Sequence, residues 1–388
     1  MTSAGLEPLS IYLHWPFCGS KCPYCDFNSH VRPQIEEERW VGATVKALDY
    51  WHEQYPDRRI ETVFWGGGTP SLMSPGSVEQ LLSHIAKRWQ IAPDCEITLE
   101  ANPTTHETER FEGFRAAGVN RLSVGIQSFQ QEALDFLGRT YSVAEAERAL
   151  AHIAETFPRY SFDLIYALPG QTIDTWSAQL DNALSFTDKH LSLYQLTFEQ
   201  GTRFYQWMQS GKIEPLDDDT AADLYDLTVE RLAGRGLALY EISNFAAPGE
   251  ECRHNMVYWT GSDWIGAGPG AHGRIGHAPA RRATREWRSP EKWLRQVATV
   301  GNGCEENALL SPSETAEELV MTGLRLAQGI DRTQFLSTSG VQLDSILVPA
   351  RVETLREHQL LEDDGQAIRL SLDGRRVLDS AIGFALSR

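Results

Sequence analysis

The chain is poor in positive charge and has no long apolar run, and each lack removes a class of function. Lys and Arg number 35 against 53 Asp and Glu in 388 residues, a net charge of -18. A chain this acidic repels a phosphate backbone, so nucleic-acid binding would need a local basic patch. The densest basic stretch holds Arg281, Arg282, Arg285 and Arg288, a pattern met more often in a solvated loop than in a binding site. No uncharged apolar run approaches the ~20 residues that a membrane-crossing helix needs. The N-terminus, MTSAGLEPLSIYLHWPF, lacks the basic start and apolar core of a secretion signal. The GGGTP stretch, 66–70, lacks the Lys-Ser/Thr pair of a nucleoside-triphosphate loop. Cysteine is sparse as well, six in all, yet three fall within eight residues. That distribution points to a reducing cytoplasm and to metal or redox chemistry. Cys95, Cys252 and Cys304 are scattered and read as ordinary thiols.

What is present is a repeat of short apolar runs and helical segments. Runs of β type occur at 11–17, 62–68, 96–103, 121–129, 160–170 and 191–199, with amphipathic stretches such as EEERWVGATVKALDYWHEQY between them. Strands alternating with helices predict right-handed βαβ units and a parallel α/β sheet. Six such units suit an open (β/α)6 barrel over residues 1–210. Residues 211–305 read as a connecting α/β region, with a helix over 217–236, one strand at LALYEISNFA and a glycine- and aromatic-rich stretch from Cys252 to Gly276. Residues 306–388 read as three helices, a hairpin turning at DDG and a closing helix, a winged-helix-like domain.

Each barrel strand ends in polar or glycine residues. The first runs into Cys18, Cys22 and Cys25, spaced CxxxCxxC; the second into Gly66, Gly67, Gly68, Thr69 and Pro70; the next three carry Glu100 with Asn102, Gln127, and Asp163. In a (β/α) barrel these C-terminal ends converge on one face, so the residues should line one cavity. Taken alone, the cysteines also fit part of a zinc site completed by His14 or His30.

The motif CxxxCxxC after the first strand of a partial barrel, with Tyr24 before the third cysteine, resembles the radical S-adenosylmethionine superfamily. The resemblance implies a [4Fe–4S] cluster on Cys18, Cys22 and Cys25, its fourth iron left open for S-adenosylmethionine. GGGTP resembles the superfamily's glycine motif, so Gly67, Gly68 and Thr69 would meet the methionine end, where a Cβ would obstruct backbone approach. By the same likeness Tyr12, Glu100, Gln127, Arg139 and Asp163 would contact the cofactor. Within the superfamily IYLHWPFC, FWGGGTPS, LEANP, RLSVGIQSF and DLIYALPGQT resemble the oxygen-independent coproporphyrinogen III oxidases. Those oxidases carry a fourth cysteine where this chain has Phe27, and a longer segment ahead of the motif. HNMVYW, 254–259, and the following WIGAGPGAHG are similar to the haem-chaperone branch of that family, which implies that His254 holds haem. The expected function is therefore cytoplasmic haem delivery to acceptor haemoproteins such as respiratory enzymes, without coproporphyrinogen III oxidase activity. The branch also implies peripheral membrane contact and a homodimer when the cluster is present. The rival reading is a radical enzyme decarboxylating coproporphyrinogen III or a related tetrapyrrole.

Overall fold

In the segment EPLSIYLHW alternate residues take opposite faces, as the two-residue period of a strand requires. Leu9, Ile11, Leu13 and Trp15 are buried in the main core, while Ser10, Tyr12 and His14 take the other side. The same division holds in the neighbouring strands. A computed structural model describes residues 6–386.

The six barrel strands are β1 (Glu7–Trp15), β2 (Arg58–Gly67), β3 (Gln90–Ala101), β4 (Arg121–Gln127), β5 (Arg159–Tyr166) and β6 (His190–Gln195). They pair in parallel in chain order. Between them run helices α1 (Glu37–Gln54), α2 (Pro75–Arg88), α3 (Phe111–Ala117), α4 (Val143–Thr156) and α5 (Ile173–Phe186). Their starts are written locally. Ser142 begins α4 with a capping box, its hydroxyl accepting from Glu145 N while the Glu145 carboxylate accepts from Ser142 N at 2.8 Å.

After α6 (Asp218–Ala233), short strands β7 (Ala238–Glu241) and β8 (Asn244–Ala246) form an antiparallel hairpin. LALYEISNFA is thus two strands and not one, and β8 joins the edge of the barrel sheet at β6. Helix α7 (Arg253–Thr260) carries HNMVYW. Strand β9 (Trp264–Ala267) returns to the opposite edge and pairs in parallel with β1, followed antiparallel by β10 (His272–Ile275), β11 (Arg282–Glu286) and β12 (Cys304–Leu309). The sheet of twelve strands therefore runs β12-β11-β10-β9-β1-β2-β3-β4-β5-β6-β8-β7. Residues after 210 extend the barrel sheet at both edges. The arginine-rich stretch expected as a solvated loop is β11 with its approaches, and Arg281 is buried at 1% exposure, donating to Gly276 O at 2.9 Å.

The C-terminal module has its own core, built on Val320, Phe335, Leu355, Ile368 and Ile382. Helices α8 (Pro312–Gly323), α9 (Arg332–Ser339), α10 (Pro349–Glu357) and α11 (Leu378–Leu386) pack on strands β13 (Ile330–Asp331), β14 (Leu361–Asp363) and β15 (Ala367–Leu370) in the order β13-β15-β14. The hairpin turns through Gly365 at φ +82°, as DDG predicts. The fold is an open (β/α)6 barrel with a winged-helix-like module. Among the described residues no helix is long and apolar enough to cross a membrane.

Candidate cofactor site at the mouth of the barrel

The inward side of the barrel strands is polar. Ser10, Thr62, Glu96, Thr98, Arg121, Ser161, His190 and Ser192 are all buried there. The shaft opens at the C-terminal ends of the strands into a cavity of about 680 Å³. Cys18, Cys22, Cys25, Gly68, Thr69, Glu100, Gln127, Arg139 and Asp163 line it, nine of the expected residues brought together from six segments. Gly67 lies just behind, its N–H donating to Glu100 Oε2 at 3.2 Å. Tyr12 stands deeper, with its hydroxyl on His14 Nδ1 at 3.0 Å. His14 Nε2 lies 3.0 Å from Asn28 O, so both its nitrogens are engaged and it is no metal ligand.

The glycines are there for space. A Cβ on Gly68 would lie 2.5 Å from Phe17 O, and one on Gly67, whose φ is +110°, would lie 2.4 Å from the His14 ring. The tight crossing is fixed by Gly68 N donating to Trp15 O at 2.7 Å and Thr69 N to Phe17 O at 2.8 Å. Gln127 holds a left-handed backbone, φ +67°, on the cavity wall, a cost that tends to be kept where a side chain must be aimed.

Besides Glu96, two carboxyls stand where the shaft meets the cavity. Burial, with Asp163 nearby, pushes Glu100 up to about 8 against the opposing Gly67 N–H. Burial raises Asp163 to about 6, opposed by Ser192 and by Arg121 and Arg139. Asp163 Oδ1 has no hydrogen-bond partner, an acceptor left free at the cavity wall. Arg139 is sequestered among acceptors. Its Nε donates to Tyr141 Oη at 2.9 Å, and Nη1 reaches Cys22 Sγ at 3.2 Å and Tyr24 Oη at 3.3 Å. Nη2 donates to Gly125 O at 3.3 Å and to Asn102 Oδ1. Tyr141 is a site residue that the strand-end pattern did not single out; it sits two residues after Arg139, which was its one signal, whereas Asn102 was read at the end of its strand.

The cysteines suit a cluster. All three are free thiols facing one cavity. Among the described residues no three His, Cys, Asp or Glu converge closely enough to hold a single ion. Burial raises the thiols of Cys18 and Cys25, so a positively charged group would be needed to keep them as thiolates. The glycine crossing that a Cβ would fill and the free Asp163 oxygen fit S-adenosylmethionine beside that cluster.

Residues 12–181 match the radical SAM superfamily and residues 310–377 the HemN C-terminal domain. The chain is 36% identical to "Heme chaperone HemW" of Escherichia coli (strain K12), the match covering 92% of this chain and 93% of that protein. It is 38% identical to "Radical S-adenosyl methionine domain-containing protein 1, mitochondrial" of Bos taurus, covering 99% of this chain and 88% of the other. The chain belongs to the HemW family of radical S-adenosylmethionine proteins. The fold is also that of the solved coproporphyrinogen III oxidase (HemN) from Escherichia coli, with a TM-score of 0.83 at 22% identity over 98% of this chain and 90% of that one. A [4Fe–4S] cluster and S-adenosylmethionine follow from the family.

His254 lies apart from the cavity. The side chain has 0% exposure within the barrel. Nδ1 lies 2.6 Å from Thr62 Oγ1 and Nε2 2.7 Å from Tyr258 Oη. The ring stacks on Phe64 at 5.0 Å, and the backbone N–H donates to Glu96 Oε1 at 3.1 Å. Burial drops its pKa to about 3. Helix α7 therefore plugs the shaft, and the imidazole presents no lone pair to an iron. For His254 to hold haem, as the motif implies, its bonds to Thr62 and Tyr258 would have to open.

Proposed function

We propose that the chain is a haem chaperone that carries one [4Fe–4S] cluster, binds S-adenosylmethionine and passes haem to acceptor haemoproteins such as respiratory enzymes. The observation that carries this reading is the 36% identity with a protein named as a heme chaperone across 92% of the chain. Cys18, Cys22 and Cys25 would hold the cluster, and when bound the pair would supply one-electron cleavage of a sulfonium. Gly67 and Gly68 would admit the cofactor backbone-close, with Thr69 and Gln127 flanking it. Arg139 would keep a fixed positive charge beside Cys22. Glu100, held mostly neutral at pH 7 by its burial, can donate as well as accept, while Asp163 offers an acceptor oxygen.

Phe27 supports the chaperone over the oxidase. It stands where the oxidases carry their fourth cysteine and lies at the cavity with 58% exposure, with no thiol to offer. The domain division at about 210 and 305, a cytoplasmic location, peripheral membrane contact and a cluster-dependent homodimer belong to the same proposal. Anaerobically reconstituted protein should contain about four iron atoms per chain, take up haemin to saturation, and leave coproporphyrinogen III unchanged when supplied with reductant and S-adenosylmethionine. Turnover of coproporphyrinogen III without saturable haem uptake would establish the rival reading.

A further inference from the structure

A carrier of haem needs an imidazole or similar ligand that is neutral and reachable, cations for two propionates, and a route by which the cargo leaves. His254 is a neutral imidazole but is enclosed, at 0% exposure. The acidic chain does have one edge that offers all three, on the open face of the strands beyond β9. In the antiparallel pair β10–β11, His272 stands directly opposite Arg285, so the two side chains share a face as near neighbours. Arg274, two residues along, shares that face as well. His272 is exposed, and among the described residues its ring has no hydrogen bond.

Arg288 closes this edge against the cysteine loop. Its carbonyl accepts from Asn28 Nδ2 at 2.9 Å. Arg274 is committed to Glu318 at 2.8 and 3.0 Å. Arg285 meets Glu305 and Glu306 only at 3.5 and 3.3 Å. Among the described residues neither Arg288 nor Lys21 has a carboxylate partner, in a chain of net charge -18. On the cysteine loop, which Asn28 ties to this edge, Phe27 and Val31 are exposed at 58% and 52%. Though the residue keeps part of its surface in solvent, partial burial of the ring, with Arg274, Arg285 and Arg288 close by and Glu306 opposing, holds His272 below the ordinary histidine pKa. The shift favours the neutral ring, the form that ligates iron.

We propose that this edge is the haem-docking site, with His272 as axial ligand and Arg285 and Arg288 meeting the propionates. The inference rests on the haem-chaperone reading and gives it a place. The step is ligation alone: a ring nitrogen lone pair replaces a solvent ligand on ferric iron, and no electron is transferred and no bond of the macrocycle changes. An open edge suits a carrier, since an acceptor can approach the other face of the haem without the barrel opening. It also sets the cargo beside Asn28 of the cysteine loop, whose side chain bonds Pro269 O at 2.8 Å.

The test is haemin titration of the full-length, cluster-reconstituted protein, followed at the Soret band, for wild type, His272→Ala, Arg288→Glu and His254→Gln. Wild type should saturate near one haem per chain. His272→Ala should lose the imidazole spectrum and bind at least about tenfold more weakly, with unchanged iron and sulfide content, and added free imidazole should restore the spectrum. Arg288→Glu should keep the spectrum and weaken binding, the deficit shrinking as salt rises. His254→Gln should keep the wild-type Soret position. Wild-type affinity and spectrum in His272→Ala, with loss of the imidazole spectrum in folded His254→Gln, would overturn the site while leaving the chaperone reading intact. Failure of wild type itself to bind haemin would remove the chaperone reading.

Discussion

A buried neutral histidine makes stability depend on pH in a way that tests the placement of His254. Its pKa is about 3 in the folded chain against about 6.5 when unfolded. Between those values the unfolded state binds the proton and the folded state does not, so stability is complete above about pH 6.5 and falls with acid. The groups around the ring are Glu96, which favours its charge, and Arg121, which opposes it; Tyr258 and Thr62 occupy its nitrogens. A shift of this size corresponds to about 5 kcal/mol in full, and to about 3 kcal/mol between pH 7 and pH 4. Glu100 and Asp163, with raised pKa values, act in the opposite sense, losing stability as pH rises through about 4 to 8. The comparison must therefore be with a chain in which only the imidazole is gone. We expect denaturant unfolding of wild type and His254→Gln, followed by tryptophan fluorescence at pH 7, 6, 5 and 4, to differ in slope by about 1.3 kcal/mol per pH unit below pH 6. Parallel curves would refute the buried, doubly bonded ring, and with it the objection to His254 as iron ligand.

Two further outcomes follow from the cavity. Gly68→Ala puts a methyl 2.5 Å from Phe17 O and 2.8 Å from Phe17 N, backbone that cannot step aside; S-adenosylmethionine affinity by equilibrium dialysis should fall at least about tenfold, and wild-type affinity would contradict the close approach assigned there. Arg139→Gln removes a part-buried cation from Cys22, Tyr24 and Tyr141 and should cost about 1.5–3 kcal/mol, measured by chemical denaturation of the unreconstituted chain, whereas a loss below about 0.5 kcal/mol would match an exposed side chain.

The barrel was legible because its determinants are local. Short apolar runs between amphipathic helices give strand order through the right-handed crossover rule, and strand order alone carries Cys18, Gly68, Glu100, Gln127 and Asp163 to one mouth. Once each residue's strand is known, no long-range contact has to be guessed. The edges were not legible in that way. β9 lies beside β1, more than 250 residues earlier in the chain, and just past its end Gly268 crosses β1 so closely that a Cβ would lie 2.3 Å from His14 O. Nothing in the spacing of WIGAGPGAHG announces that pairing.

The same limit explains the two histidines. HNMVYW reads as the haem motif on likeness and WIGAGPGAHG only as a stretch of the same branch, yet side-chain direction is set by what packs around the segment. Helix α7 ends the polar shaft, and only a ring that can bond Thr62 and Tyr258 and stack on Phe64 fills it without leaving unpaired groups. Strand β10 is an edge extension with one face open, so its alternation turns Gly273 and Ile275 inward and leaves His272 out among the arginines. A buried motif histidine whose variants lose haem would then do so by unplugging the barrel, whereas an exposed one would do so by removing the ligand. The iron and sulfide content of the variants separates the two causes, because an unplugged shaft loosens Tyr12 and through it His14, Asn28 and the cysteine loop.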